Sequence, residues 1–280
     1  MFFLFASLVL VAGCAQKERS ADKIILTSFY PIYIEALNVA DGVPGVRVEN
    51  LTKPTSGCLH DYQLAPEDLV KLEKGDCFIV NGLGMESFLD KVVKARASLK
   101  MISASDHIEP IDNNPHVWVS PKNARQQVLN IADALSAWDT LHRDLYQRNG
   151  AAYAARLDTL DENMRTELQP FAGTRIVTFH EAFTYFAAEF HLSVAAVIQR
   201  EPGSDPSAGE LAQTIRLIRT AHVTALFAEP QYSSRSAATL SEETGVPVYT
   251  LDPAVSGPLD KEAYLTIMRQ NLQTLRKALR

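Results

Sequence analysis

Short apolar, β-branched runs alternate along this chain with segments of helical periodicity. A strand-like run at residues 24–27 precedes a helical segment at 31–39. A second helical segment opens at Pro66 and closes at Gly75, directly before an apolar run at residues 77–80. Such alternation is typical of parallel sheets whose strands are connected by helices. The chain is therefore predicted to be an α/β protein.

The same alternation restarts after Gly173. The predicted strands of this second half are residues 176–179, 194–198, 224–228 and 246–251, and the predicted helices are residues 181–190, 207–219, 234–243 and 261–279. In the first half, Ser120 and Pro121 are expected to cap and open another helix. The two halves predict two α/β lobes, each a parallel sheet flanked by helices.

A long helical stripe separates these halves. Its apolar side chains are spaced by three or four residues: Tyr153, Leu157, Leu160, Met164 and Leu168. No strand-like run lies nearby, and a helix of this length can join two lobes. The expected organisation is a first lobe over residues 23–145, a linking helix over 146–170 and a second lobe over 171–280.

The amino end predicts export. Residues 2–12 form a largely apolar run, shorter than the roughly 20 residues that a membrane-spanning helix needs, and a signal peptide is the better interpretation. The run ends in Val-Ala-Gly-Cys, which resembles the lipobox of bacterial lipoproteins, where the chain is cut before the cysteine and a lipid is attached. We expect a signal peptide at 1–13, a tether at 14–22 and a lipid anchor on Cys14. The alternative is a buried first strand with an incidental cysteine.

Composition excludes several classes of protein. Apolar residues make up 46% of the chain, whereas disordered chains have far fewer. The 27 Lys and Arg residues are outnumbered by 33 Asp and Glu, and the net charge is −6. Because phosphate-backbone binding relies on clustered positive charge, nucleic acid is not an expected partner.

Two cysteines remain after Cys14, and the sequence leaves their state open. Cys58 and Cys77 form a disulfide or stay reduced, since an exported protein meets an oxidising compartment. Cys77 lies in a predicted buried strand, where a thiol packs as a small hydrophobe. Cys58 lies two residues before His60, and the less favoured interpretation makes it a soft metal ligand.

Several predicted strands run directly into residues that bind metals. His180, Glu229 and Asp252 follow strands of the second half, and the carboxyl ends of such strands face the ligand crevice. The first half offers His60 and His116, both in predicted loops. Three imidazoles and one carboxylate make a plausible zinc set, but they are far apart in sequence and spacing alone leaves each histidine open to a surface or core role.

Six segments narrow this choice because together they resemble one family. They are HDYQLAPED at 60–68, NGLGME at 81–86, NPHVW at 114–118, TFHEAFTYF at 178–186, FAEPQ at 227–231 and LDP at 251–253. They resemble the zinc- and manganese-binding lipoproteins that are cluster A-I substrate-binding proteins of bacterial metal ABC importers. The resemblance implies metal ligation by His60, His116, His180 and Asp252. It also implies two α/β lobes joined by one long helix, with the metal in the cleft between them.

The resemblance further implies a binding protein and no enzyme. The expected partners are the divalent ion, a membrane permease and its cytoplasmic ATPase, and the receptor is expected to be monomeric. This chain has no Gly-x-x-x-x-Gly-Lys loop for ATP. His180 at the third ligand position makes the site richer in nitrogen and favours Zn²⁺ over Mn²⁺. The alternatives are a manganese or mixed receptor, a surface adhesin and a zinc hydrolase.

Three further residues are expected around the ligands. Glu229 would hydrogen-bond a ligand imidazole and orient it, although a capping or salt-bridging role is an equal alternative. Tyr62 and Trp118 are neighbours of His60 and His116 in sequence and are expected to form walls of the cleft.

Overall fold

The computed structural model describes residues 22–59, 62–89, 99–198, 207–230 and 234–280. Within these ranges the chain forms two four-stranded sheets, and every strand pairing in both is parallel. The predicted fold class is confirmed. Residues 1–21, with Cys14 and the expected signal peptide and tether, lie outside the described part, as does His60.

The first lobe is built on a sheet with strand order β2-β1-β3-β4. Its strands are β1 (Lys23–Thr27), β2 (Val46–Asn50), β3 (Cys77–Val80) and β4 (Lys100–Ser103), and its first helices are α1 (Tyr30–Val39) and α2 (Pro66–Lys74). Pro66 opens α2 as expected, because proline is pre-organised for the first helical position. The structure adds β2 and β4, which the sequence had not indicated.

Two long helices follow β4 and pack against the first lobe. Helix α3 (Pro121–Trp138) is capped by Ser120, whose Oγ accepts a hydrogen bond from the backbone N–H of Asn123 at 3.1 Å. Helix α4 (Arg143–Leu168) follows and packs along α3. Their close approach depends on Gly150, where a Cβ atom would lie 2.5 Å from the Cβ of Ala132. Helix α4 is the single long connection between the two sheets.

The second lobe repeats the plan with strand order β6-β5-β7-β8. Its strands are β5 (Arg175–Thr178), β6 (Ser193–Val197), β7 (Ala225–Ala228) and β8 (Val248–Thr250), and its helices are α5 (Thr184–Glu189), α6 (Ala208–Ala221), α7 (Ser234–Thr244) and α8 (Ala263–Ala278). The expected helix at 181–190 begins as a 3₁₀ turn before α5. Among the described helices, none combines the length and the apolar character needed to cross a bilayer.

The lobes are packed firmly against each other. One apolar core continues from the first lobe through α4 into the second. The C-terminal helix α8 packs against both α4 and α1. Across the junction, the Tyr30 hydroxyl donates to the Pro258 carbonyl at 2.7 Å, and the Asn38 amide donates to the Lys261 carbonyl at 2.9 Å. The cleft between the two sheets is therefore bounded by lobes that share a core.

Candidate metal centre

The second lobe presents three metal-binding side chains where its strands end. His180 lies two residues beyond the last residue of β5, Glu229 directly follows β7, and Asp252 lies two residues beyond β8. The carboxyl ends of parallel strands share one edge of a sheet, so these residues lie at one side of the lobe. The expectation that they would cluster at this edge agrees with their position.

His116 of the first lobe meets His180 across the cleft. Their ring centroids are 4.6 Å apart and the rings are nearly perpendicular, at 89°. Both side chains are fully buried. This buried pair takes one imidazole from each lobe and is the centre of the candidate site.

Asn114 sets the orientation of the His116 ring. Its Oδ1 lies 2.7 Å from Nδ1 of His116 and also accepts the His116 backbone N–H at 2.9 Å. The amide nitrogen of Asn114 donates to the Glu181 carbonyl and to Oγ1 of Thr184, so the amide orientation is defined. Because the amide oxygen can only accept, Nδ1 of His116 is the nitrogen that donates, and Nε2 carries a lone pair that is available to a metal.

Glu229 plays the corresponding part for His180. Its Oε1 lies 3.3 Å from Nδ1 of His180, and both side chains are buried. A carboxylate facing one ring nitrogen fixes the tautomer and directs the other nitrogen to a metal. Burial raises the pKa of the Glu229 carboxyl, and the neighbouring His180 opposes that shift. This contact is what both the orienting role and the salt-bridging alternative require, so it does not choose between them.

Asp252 is held by the C-terminal helix. Its backbone N–H donates to Oδ1 of Asn271 at 2.9 Å, and its carbonyl accepts from the Asn271 amide at 2.7 Å. Its Oδ1 accepts the backbone N–H of Ala254 at 2.8 Å. Burial raises the pKa of the Asp252 carboxyl. The pKa of the Tyr30 hydroxyl is raised to about 12, mainly by burial and also by the negative charge of Asp252. The next residue, Pro253, accepts the indole N–H of Trp118 from the first lobe, so Asp252 lies near the junction of the lobes.

Cys58 joins the histidine pair, which the sequence argument had not favoured. One nitrogen of His116, one nitrogen of His180 and the sulfur of Cys58 all lie within 4.8 Å of one another. Cys58 and Cys77 are free thiols, so the disulfide alternative is not realised. Burial raises the pKa of the Cys58 thiol, and the charges of Glu229 and Glu181 add to this shift. Among the described residues Asp252 is not a member of this converging group.

Trp118 forms a buried support beneath His116. The two rings lie 5.2 Å apart, and the indole N–H donates to the carbonyl of Pro253 at 2.8 Å. Its own carbonyl accepts the Tyr264 hydroxyl at 2.7 Å. Trp118 therefore ties the His116 segment to the loop that carries Asp252.

Tyr62 has a different set of contacts. Its hydroxyl donates to Oδ2 of Asp68 at 2.7 Å, in the first turn of α2, and its ring lies 5.4 Å from that of Phe88. The hydroxyl is thus engaged at the start of α2. The sequence analysis identified Tyr62 and Trp118 but did not identify Asn114 and Asn271. Asn114 lies inside the NPHVW segment, which was the signal that could have indicated it.

Two parallel-sheet lobes joined by one long helix, with oriented histidines from both lobes meeting in the cleft, define a two-lobed metal-binding substrate-binding protein. The chain belongs to the family described as zinc-uptake complex component A, periplasmic, or ZnuA, whose sequence profile matches residues 25–278. The family is one of uptake-system components and not of enzymes. The family resemblance inferred from the six segments is confirmed.

Relatives and solved structures support the same assignment. The chain is 27% identical to the high-affinity zinc uptake system protein ZnuA of Bacillus subtilis, over 100% of this chain and 97% of that protein. It is 28% identical to the zinc-binding lipoprotein AdcA of Streptococcus pneumoniae over 97% of this chain, but it spans only 58% of AdcA. The structure of the substrate-binding protein FpvC of Pseudomonas aeruginosa with Ni²⁺ matches with a TM-score of 0.84 and 27% identity, over 92% of this chain and 97% of FpvC.

Proposed function

We propose that this chain is the extracytoplasmic receptor of a metal ABC importer and that it captures Zn²⁺ between its lobes. It would deliver the ion to a membrane permease driven by a cytoplasmic ATPase. The observation that carries this proposal is the meeting of His116 and His180 across the cleft, with each ring oriented by its own partner. Because the site takes ligands from both lobes, metal binding depends on how the two lobes are positioned relative to each other.

The proposed ligands are those that the family resemblance supplies: His60, His116, His180 and Asp252. His60 enters from the sequence alone. Four protein donors fill the coordination shell of zinc, whereas a catalytic zinc keeps one position for water. We therefore propose a binding protein that carries the metal ion and catalyses no reaction.

Zinc is proposed over manganese because imidazole suits Zn²⁺ better than the harder Mn²⁺. The named relatives ZnuA and AdcA are zinc proteins, and FpvC has also been solved with Mn²⁺. Manganese is therefore the metal against which zinc must be tested.

The amino end completes the proposal. Residues 1–13 would act as a signal peptide, and Cys14 would carry the lipid that anchors a monomeric receptor to the membrane. The AdcA relative is itself named a lipoprotein, which supports this part.

Competitive titration tests the function. The metal-stripped protein is titrated with Zn²⁺ and with Mn²⁺ against a chelator of known affinity. We expect tight one-to-one zinc binding that manganese does not displace. Comparable or tighter manganese binding would keep the receptor and overturn the choice of zinc, and failure to bind either ion would overturn the receptor itself.

A further inference from the structure

The thiol of Cys58 lies where a metal ligand would be. Its sulfur and one nitrogen from each of His116 and His180 are mutually within 4.8 Å. Around a tetrahedral zinc, with Zn–S about 2.3 Å and Zn–N about 2.0–2.1 Å, neighbouring donor atoms are about 3.4–3.6 Å apart. Binding one ion would therefore draw these donor atoms together by no more than about 1.4 Å.

The loop that carries Cys58 is anchored on both sides. Gly57 has a φ of +73°, a left-handed conformation that favours glycine. Leu59 is buried in the main core, and its carbonyl accepts the backbone N–H of Tyr62 at 3.1 Å. The turn at Gly57 and the buried Leu59 together hold Cys58 beside the histidines.

The surroundings of Cys58 are those of a cation site. Cys58 and Cys77 both contact the main apolar core, but Cys77 lies within the buried strand β3, where a thiol packs as a small hydrophobe. Cys58 also lies beside two imidazoles, and one of them, His180, faces the Glu229 carboxyl at 3.3 Å. Sulfur and imidazole nitrogen are donors that Zn²⁺ accepts, so this grouping favours a metal ion.

We propose that Cys58 binds the transported metal directly through its sulfur, together with His116 and His180. The inference rests on the proposed receptor function and changes one of its ligands: with His60 these side chains make four donors, and Cys58 takes the place that the family resemblance gives to Asp252, which is not a member of the converging group among the described residues. As the sulfur–metal bond forms, the thiol proton is released to solvent, so the step is a simple exchange of a proton for the ion. A thiolate is a soft donor, which binds Zn²⁺ and disfavours Mn²⁺. Cys58 is thus a residue that determines metal selectivity.

Cobalt substitution tests this coordination. The full chain is prepared with Cys14→Ser, so that Cys58 and Cys77 are its only thiols. Co²⁺ bound by a thiolate gives an intense sulfur-to-metal charge-transfer band in the near ultraviolet, and Co²⁺ bound by nitrogen and oxygen alone does not. We expect the band in this parent and in a matched Cys77→Ala variant, and we expect Cys58→Ser and Cys58→Ala to lose it.

Metal affinity gives a second readout in the same variants. Loss of the sulfur removes one of the protein ligands of the metal, and we expect it to weaken zinc binding by about 100-fold. Manganese affinity should change by less than about threefold, because Mn²⁺ gains little from sulfur. The ratio of zinc to manganese affinity therefore falls in the Cys58 variants and stays constant in Cys77→Ala.

The outcomes separate this inference from the function on which it rests. A parent that binds Co²⁺ and Zn²⁺ without the charge-transfer band would overturn sulfur ligation and leave the receptor intact. That spectrum is decisive even if a Cys58 variant fails to fold. A parent that binds neither ion would overturn the proposed function and this inference with it.

Discussion

Asn114 controls two things at once, and its replacement by alanine separates them. The side chain makes four hydrogen bonds: two to His116, and two to second-lobe atoms, the Glu181 carbonyl and Oγ1 of Thr184. Asn114→Ala removes the acceptor that fixes the tautomer and direction of the His116 ring. It also removes two of the bonds that tie the lobes together.

The expected magnitudes follow from these contacts. Loss of a partner that orients a metal-binding histidine typically weakens metal affinity by about 10- to 100-fold, which is about 1.4–2.7 kcal/mol. The lost hydrogen bonds leave buried groups unsatisfied, and the free energy of unfolding should fall by about 2–4 kcal/mol. Asn114→Asp keeps an acceptor opposite Nδ1 of His116 and should retain more zinc affinity than Asn114→Ala.

Asn38 provides the matched control. It is equally buried and also bridges the lobes, but its amide donates to the carbonyls of Ile34 and Lys261 and not to a histidine. Asn38→Ala should lower stability while zinc affinity, measured by chelator competition, stays within about twofold of the wild type. If Asn114→Ala bound zinc as tightly as Asn38→Ala, the argument that Asn114 orients His116 would be refuted.

His180→Ala should weaken zinc binding by at least about 100-fold, because it removes a ligand, while leaving the far-ultraviolet circular dichroism unchanged; wild-type affinity in the folded variant would remove His180 from the site. Glu35→Met should raise the free energy of unfolding at pH 8 by about 1–3 kcal/mol, because neither carboxyl oxygen of this buried residue has a hydrogen-bond partner within the described structure. Burial raises the pKa of Glu35, so this residue costs the wild type stability as pH rises above about 4.3, the pKa of glutamate in the unfolded chain. The gain in unfolding free energy from Glu35→Met should therefore be smaller at pH 5 than at pH 8. Denaturant titrations that give equal gains at both pH values would contradict this argument.

The sequence predicted the sheets where their strands are apolar. Strands β1, β3, β5 and β7 are largely buried central strands, and continuous apolar runs mark them. Strands β2 and β4 are edge strands, and β2 reads Val-Arg-Val-Glu-Asn with no fully buried residue. Their assignment depends on pairing with β1 and β3, which is a property of the folded sheet and not of the local pattern.

The candidate site, like the sheets, could be predicted only in part from the sequence. His116 and His180 were identified by the segments around them, because spacing alone leaves every histidine equal. Asn114 belonged to one of those segments, but its role depends on contacts with residues of the other lobe that come together only on folding. Metal ligation was the least favoured of the three interpretations of Cys58, because a loop has no periodicity that indicates which way a side chain points.

The residues that orient the ligands are also residues that join the lobes. Asn114 turns the His116 ring while it is held by the Glu181 carbonyl of the second lobe. Trp118 lies under the same ring while its indole N–H is bound to Pro253, next to Asp252. Moving the lobes apart would break the bonds of Asn114 to Glu181 and of Trp118 to Pro253, and would remove the second-lobe support of the two side chains that position His116. Because one core and these polar ties span the junction, the ligand geometry is as rigid as the contact between the lobes.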